Sequence, residues 1–162
     1  MVSHSVVSLI GVCALALFTS PAFADTYRYL NQDDEGAATF IDESSINRVA
    51  ETTTVWTLTI TGEYMKGGSP KTAYYLMQQS YNCKTQQFRV SALSAYDEKG
   101  VSVSSDDKGT AEGPIEPGTT EQSLYKRICL NERGKNGTFE GKSPLVVANG
   151  FRNDVLRTKH SE

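Results

Sequence analysis

The sequence predicts an α+β fold, in which a small antiparallel β-sheet of about five to six strands packs against a C-terminal α-helix and is linked to it by one disulfide. Three observations lead to this prediction. In short stretches before residue 104, residues of different polarity alternate along the chain, and polar turns separate these stretches. After Pro117-Gly118 this alternation ends, and the apolar residues are spaced as on one side of a helix. One cysteine falls in each of these two regions, Cys83 in the first and Cys129 in the second.

Residues 1–24 are predicted to be a cleavable secretory signal peptide. An apolar run from Val6 to Phe18 is followed by Ala22-Phe23-Ala24, which offers small residues at the two positions that a signal peptidase reads. The run is too short to span a bilayer, for which about 20 residues are needed. We therefore expect the mature chain to begin at Asp25, to be exported and to contain no transmembrane segment.

The first strands of the mature chain are predicted to be short. Thr26–Leu30 and Ala38–Ile41 are separated by a turn-forming stretch that ends at Gly36. The clearest alternation lies in Val55–Thr61, where Trp56, Leu58 and Ile60 face one way and the threonines between them face the other. This pattern predicts a half-buried strand whose second face carries β-branched residues.

A long hairpin is predicted next. Thr72–Cys83 forms its first strand, and Lys84 and Thr85 form its tip. We expect alternate residues of the return strand to share one face, namely Phe88, Val90, Ala92, Ser94 and Tyr96. A turn at Asp97–Gly100 leads to a further strand that starts near Val101, so the middle of the chain is predicted to be an antiparallel meander.

The helix is predicted to begin after Thr119. Thr119 can cap its N-terminus, and Gln122 three residues later completes a capping-box pattern. The apolar residues that follow lie on one helical stripe, namely Leu124, Tyr125, Ile128 and Cys129. Cys129 can therefore face the sheet.

Cys83 and Cys129 are predicted to form the disulfide, because Cys13 leaves with the signal peptide and the remaining two belong to an exported chain. The bond would close a loop of about 45 residues, which is worth on the order of 4 kcal/mol. Two free thiols or a metal pair are the alternatives. A Cys/His metal site lacks ligands, since no histidine lies between Asp25 and Lys159.

Residues 130–162 differ in composition from the rest. They are rich in Gly, Asn, Lys and Arg, with one short apolar patch at Leu145, Val146 and Val147. We expect a polar, flexible C-terminal tail, able to add one strand, after a folded domain that spans residues 25–129.

Composition argues against several functions. The net charge of −3, without a basic cluster, is unsuited to nucleic acid binding. His4 and His160 both lie outside the predicted domain, so a hydrolase would have to recruit His160 from the tail. Paired acids such as Asp106-Asp107 fall in predicted turns and lack the spacing of a calcium loop. No enzymatic activity, cofactor or metal is expected.

Tyrosine is the residue that suggests binding, since the chain has 8 of them. The neighbours Tyr74 and Tyr75 must point to opposite faces of their strand, so one of them lies on the face away from the helix. Tyrosines on an open face suit a protein partner. Lys71, Tyr74 and Tyr75 are therefore the candidate partner-binding residues. The alternative is that cross-strand aromatic pairs only stabilise the sheet.

The order of short motifs resembles the surface-adhesin protein E family of Gram-negative bacteria. The motifs are Phe40–Ile46, Val55–Leu58, Tyr81–Cys83, Phe88–Val90, Ser94–Tyr96, Ile115–Thr119 and Cys129. The resemblance implies a small antiparallel sheet packed on a C-terminal helix, with Asp42–Ile46 as a turn that seats Ile46 in the core. It also implies adhesion, through binding of host extracellular-matrix or serum proteins at the bacterial surface, and the formation of homodimers.

Two features differ from a surface-anchored member of that family. Cys13 follows Ile10-Gly11-Val12, which is a poor signal for lipid attachment, and the segment before Ile115 has no tryptophan. We therefore expect an exported, non-enzymatic binding domain located in the periplasm or at the cell surface. The alternative function is that of a periplasmic structural or accessory protein of the cell envelope without adhesin activity.

Overall fold

The computed structural model describes residues 26–132 and 137–159 and contains, in these two ranges, one antiparallel sheet and three helices. The strands are β1 (Thr26–Gln32), β2 (Ala38–Val49), β3 (Thr52–Ile60), β4 (Tyr74–Asn82), β5 (Gln87–Tyr96), β6 (Ser102–Asp106), β7 (Gly113–Pro114) and β8 (Thr138–Glu140). The helices are α1 (Gly62–Met65), α2 (Thr120–Ile128) and α3 (Pro144–Lys159). The predicted signal peptide and His160 lie outside the described residues.

The sheet is a meander with one added strand. Its order is β6-β5-β4-β3-β2-β1-β8, and the short β7 pairs with β5. Neighbours in sequence are therefore neighbours in space from β1 to β6, as expected for strands joined by tight turns. The predicted α+β fold is confirmed. The structure has eight strands instead of five to six because β7 and β8 are short additions of two and three residues.

Each face of the sheet carries its own apolar cluster. On one face, here called the α3 face, Phe40 and Leu58 are completely buried together with Val147 of α3. On the opposite face, the α2 face, Ile41 and Tyr81 are buried against Leu124 of α2. Adjacent residues of a strand, such as Phe40 and Ile41, point to opposite faces, so one strand serves both clusters.

The strand β3 is buried on both faces, whereas the sequence predicted a half-buried strand. Leu58 and Ile60 share one face as expected, and this face is covered by α3, but Val55 and Thr57 on the second face are also fully buried. Thr57 is covered in part by Gln79, whose Nε2 donates a hydrogen bond to the Thr57 hydroxyl over 3.4 Å. A threonine-rich face predicts exposure only when nothing covers it.

A β-bulge changes the faces of β5. Gln78 pairs with Ala92 while its neighbour Gln79 pairs with Val90, so Ser91 is an extra residue on β5. Phe88 and Val90 therefore lie on the α2 face, and the second half of the predicted set lies on the α3 face, namely Ala92, Ser94 and Tyr96. The expectation that all five share one face is wrong, because the bulge shifts the alternation by one residue.

The segment Asp42–Ile46 forms a bulge within β2 instead of a turn between strands. The Asp42 carboxylate accepts a hydrogen bond from the Ser44 backbone N–H over 3.0 Å, and the Ser45 hydroxyl accepts one from the Trp56 N–H over 2.8 Å. These bonds satisfy backbone groups that the bulge removes from the ladder. Ile46 packs against the α2-face cluster, as the family resemblance implied.

The helix α2 begins as its sequence predicts and is tied to the sheet by the disulfide. The Thr119 hydroxyl accepts a hydrogen bond from the Gln122 N–H over 3.2 Å. Cys83 at the end of β4 is bonded to Cys129 at the end of α2, with 5.4 Å between their Cα atoms. The Tyr125 hydroxyl donates to the Cys83 carbonyl over 3.2 Å. The predicted disulfide between helix and sheet is confirmed.

The C-terminal segment differs from the flexible tail that its composition predicted. β8 pairs with β1, and α3 lies on the α3 face with Val147 and Ala148 completely buried. Phe151 of α3 stacks on Tyr29 at 5.4 Å between ring centroids. The apolar residues of α3 recur every three or four positions, which is the pattern of a helix packed on one side. No helix in the described ranges combines the length and the apolar composition needed to cross a membrane.

Glu43 joins α2 to the first two strands. Its Oε1 lies 2.8 Å from Arg28 Nε of β1 and also accepts a hydrogen bond from Arg127 of α2. Burial disfavours the Glu43 carboxylate, but the hydrogen bonds from Arg28 and Arg127 outweigh burial, so the pKa of Glu43 is lowered. Because the pKa of Glu43 is lowered on folding, its ionised carboxylate stabilises the folded chain at neutral pH. This stabilisation is lost as the pH falls through the pKa of folded Glu43.

We expect the Glu43→Gln variant to lose about 1–3 kcal/mol of unfolding free energy at pH 7. The difference from the unmodified chain should shrink at a pH below the lowered pKa of folded Glu43, where the carboxylate is protonated in both states. Urea unfolding at the two pH values measures this. A difference that stays constant with pH would show that the charge of Glu43 is not what stabilises the contact.

Candidate partner-binding surface

The structure separates the two tyrosines that the sequence singled out. Tyr75 lies on the α2 face and is partly exposed, whereas Tyr74 lies on the α3 face and is only 4% exposed. Tyr74 stacks on Tyr96 with 5.1 Å between ring centroids, and burial raises the pKa of Tyr74 to about 12. Tyr74 is therefore a core residue and does not belong to a contact surface. Lys71 is exposed in the loop between α1 and β4.

Tyr75 belongs to a part of the α2 face that no helix covers. We call this surface the helix-free strip and define it as Thr59, Tyr75, Met77 and Leu93, which are all partly exposed. Thr59 pairs directly with Tyr75, and Met77 pairs directly with Leu93, so the four side chains lie on three adjacent strands. The helix α2 packs on another part of this face, where it covers Ile41, Val55 and Tyr81. The strip is thus a largely apolar patch between α2 and the sheet edge at β6.

The Tyr75 side chain is available to a partner. Within the described ranges its hydroxyl has no hydrogen-bond partner and remains in contact with solvent. A tyrosine placed in this way offers a rigid apolar ring and a free polar tip, which is the combination enriched in protein interfaces.

A buried polar network supports the strip from the side of α2. The Tyr81 hydroxyl donates to Gln79 Oε1 over 2.5 Å, and Gln79 in turn donates to the Thr57 hydroxyl. Burial strongly raises the pKa of Tyr81, which therefore remains a neutral hydrogen-bond donor. Such a satisfied network holds its side chains in one arrangement. Sequence reasoning missed it, although a glutamine and a threonine inside apolar strands are its signal.

A second feature missed by sequence reasoning is a polar pocket of about 390 Å³ on the α3 face, at the end of the sheet away from α3. It is lined by Thr52, Ser80, Asn82, Arg89, Thr110, Ala111 and Glu112. We call it the Arg89 pocket. Polar residues at alternate positions of β4 are its signal in the sequence, because alternate residues line one face of a strand.

The aspartates of the acidic turns accept hydrogen bonds from backbone N–H groups of the same turns. Asp33 accepts a hydrogen bond from the Ala37 N–H over 2.8 Å, Asp97 accepts one from Val101 N–H over 2.8 Å, and Asp106 accepts one from Lys108 N–H over 2.9 Å. These are the turn-stabilising bonds that aspartate commonly makes. In residues 26–132 and 137–159, no three His, Cys, Asp or Glu side chains are grouped in a way that could hold a metal ion.

The fold and the uncovered strip define a small disulfide-linked α+β domain with an apolar surface patch. The family model of surface-adhesin protein E matches residues 27–130. The chain therefore belongs to the surface-adhesin protein E family, which confirms the resemblance seen in its motifs, and it is a surface adhesin-like protein.

The chain was also compared with curated proteins and with solved structures. It is similar to crystal form II of Haemophilus influenzae protein E, with a TM-score of 0.47 and 18% sequence identity, over 57% of this chain and 80% of that one. No curated protein matches the chain.

Proposed function

We propose that the mature chain is an exported, non-enzymatic adhesin that binds host extracellular-matrix or serum proteins through the helix-free strip. The observation that carries this proposal is the alignment of Tyr75, Met77 and Leu93, partly exposed and apolar, on the part of the α2 face that no helix covers. Membership of the surface-adhesin protein E family supports a role of the helix-free strip in adhesion.

The physical argument for a protein partner is the kind of surface that the strip offers. Its residues sit on a hydrogen-bonded sheet, so little conformational entropy is lost when a partner covers them. A partner that covers Tyr75 and Met77 gains about 25 cal/mol for each Å² of apolar area removed from water. Lys71, exposed in the loop that leads into β4, is proposed to be a charged rim residue that assists the approach of an acidic partner.

We expect the Tyr75→Ala variant to bind about 5- to 30-fold more weakly than the unmodified chain, as is usual for a tyrosine at the centre of an interface. Immobilised laminin, vitronectin and plasminogen are the probes, and surface plasmon resonance gives the dissociation constants. Tyr74→Phe is the matched control, because Tyr74 is the adjacent tyrosine but lies in the core. Equal binding by Tyr75→Ala and the unmodified chain would contradict the role of the strip.

The location of the chain separates this proposal from the alternative of a periplasmic accessory protein. That alternative is favoured by the weak lipid-attachment signal at Cys13. Cell fractionation and protease treatment of intact cells distinguish the two, since an adhesin must be reachable from outside. A chain found only in the periplasm would contradict adhesion. A second copy of the chain is another occupant of the strip, and it would appear as a dimer that Tyr75→Ala dissociates in gel filtration.

A further inference from the structure

We propose that the Arg89 pocket is a binding site for a saccharide that carries one acidic group, such as a carboxylate. The pocket lies on the α3 face, opposite the helix-free strip, so this site is independent of the proposed protein contact. Its volume of about 390 Å³ is at the small end of the range of about 300–1,000 Å³ that is typical of small-molecule sites. Its lining is polar, which excludes an apolar ligand.

The wall of the pocket is held in place by the loop that follows β6. The Thr110 N–H donates to the Val90 carbonyl over 2.8 Å, and the Val90 N–H donates to the Thr110 hydroxyl over 3.1 Å. Gly109 has a φ of +68°, and a Cβ at this position would lie 2.4 Å from the Val90 carbonyl oxygen. Only glycine fits there. The pocket is therefore formed before any ligand binds.

The bulge at Ser91 lies on β5 close to Arg89, which lines the pocket. The extra residue places Arg89 opposite Ser80, on the α3 face, and leaves the Ser80 and Ser91 hydroxyls 3.2 Å apart. Without the bulge, Arg89 would point to the α2 face. Bulges next to binding sites commonly re-aim a side chain in this way, and here the bulge brings the one cation of the lining into the pocket.

Arg89 and Glu112 are available for a ligand. Both are exposed, and neither belongs to the ion pairs of the described residues. The planar guanidinium of Arg89 can donate two parallel hydrogen bonds to a carboxylate, and the Glu112 carboxylate can accept hydrogen bonds from sugar hydroxyls. A doubly charged phosphate fits less well, because Glu112 would repel it.

Asn82 and the hydroxyls complete the polar lining. Asn82 Oδ1 accepts hydrogen bonds from the Lys84 and Thr85 N–H groups, both over 3.1 Å, which fixes the amide and directs its Nδ2 donor away from these bonds. The Thr52 and Ser80 side chains add hydroxyl groups that both donate and accept. Sugar hydroxyls have the same dual character, so a mixed lining of donors and acceptors matches them.

Trp56 lies on the same face of the sheet as the pocket but outside its lining. Trp56 pairs with Gln78, and Ser80 of the pocket follows Gln78 by two residues on the same side of β4. Trp56 is partly exposed, and its indole N–H has no hydrogen-bond partner within the described residues and contacts solvent. The negative face of an aromatic ring attracts the C–H groups on the apolar side of a sugar ring. Only a saccharide that extends beyond the lining along this face would reach and stack on Trp56.

Isothermal titration calorimetry tests the proposal directly, and the fluorescence of Trp56, the only tryptophan of the chain, shows whether the sugar reaches that residue. The mature chain is titrated with 3′-sialyllactose, galacturonic acid, galactose 6-sulfate and neutral lactose. We expect saturable binding heats with the acidic sugars and at least about tenfold weaker binding of lactose. The sugar that binds best distinguishes a carboxylate from a sulfate as the acidic group.

The variants locate the site. Arg89→Gln is expected to weaken binding of the acidic sugars at least about tenfold, whereas Lys108→Gln, which removes an exposed cation near the pocket but not in its lining, should change it less than about twofold. Tyr75→Ala should leave sugar binding unchanged, so failure here and failure of the proposed adhesin function are distinguishable. Absence of saturable binding, equal effects of the two cation variants, or equally tight binding of inorganic phosphate would overturn the proposal.

Discussion

Replacing Val147 by aspartate is expected to lower the free energy of unfolding by at least about 3 kcal/mol. Val147 is fully buried in the cluster that joins α3 to the sheet, among Phe40, Leu58 and Ala148. A carboxylate at this position loses its hydration and meets only apolar neighbours. It must either remain charged at high cost, bind a proton or force α3 away from the sheet.

Val146→Asp is the matched control for this experiment. Val146 precedes Val147 in α3 but is 51% exposed, so the same substitution there should change stability by no more than about 0.5 kcal/mol. Urea unfolding followed by circular dichroism gives both values. Similar stabilities for the two variants would show that α3 does not pack on the sheet in solution.

Replacing Cys83 and Cys129 together by serine is expected to cost about 4 kcal/mol of unfolding free energy, because the disulfide joins residues separated by 46 positions and so restricts a long loop of the unfolded chain. This is a large part of the 5–15 kcal/mol that is typical of a whole domain. Denaturant unfolding of the double variant measures the loss.

Reduction provides the control for the cysteine experiment. A thiol reductant should lower the unfolding midpoint of the unmodified chain to near that of the double serine variant, and it should leave the variant itself unchanged. Intact mass should rise by two protons on reduction. A reductant without effect on the midpoint would contradict a stabilising disulfide.

Local pattern predicted the elements whose signal lies within a few residues. The alternation in Val55–Ile60 identified β3, and the Thr119 and Gln122 pair identified the start of α2. The cysteine count was sufficient for the disulfide, because only one pairing is available once Cys13 is assigned to the predicted signal peptide. These features need no knowledge of the rest of the fold.

The helix α3 was not predicted, because residues that disfavour a helix lie between its apolar residues and made their helical spacing hard to recognise. Asn149 and Gly150 interrupt the segment, and both disfavour a helix. Its apolar residues, among them Val147 and Phe151, are nonetheless spaced to meet one surface. The stability of such a helix comes from packing on the sheet, which composition does not report.

The candidate surface was predicted only in part. Alternation placed Tyr74 and Tyr75 on opposite faces, but it could not say which face α3 would cover. Once α3 covers one face, Tyr74 is buried and Tyr75 remains accessible. The polar residues of β4 indicate one wall of the Arg89 pocket, but the position of Arg89 could not be predicted, because its face depends on a bulge that only the pairing of β4 with β5 reveals.

The two edges of the sheet determine whether a strand of another chain can add to it. Its outermost strands, β6 and β8, have five and three residues, so each edge offers few unpaired backbone groups. Short edges resist the strand-by-strand addition that leads to aggregation. They also make recruitment of a partner's strand unfavourable, so the proposed recognition of a partner depends on the side chains that the two faces of the sheet display.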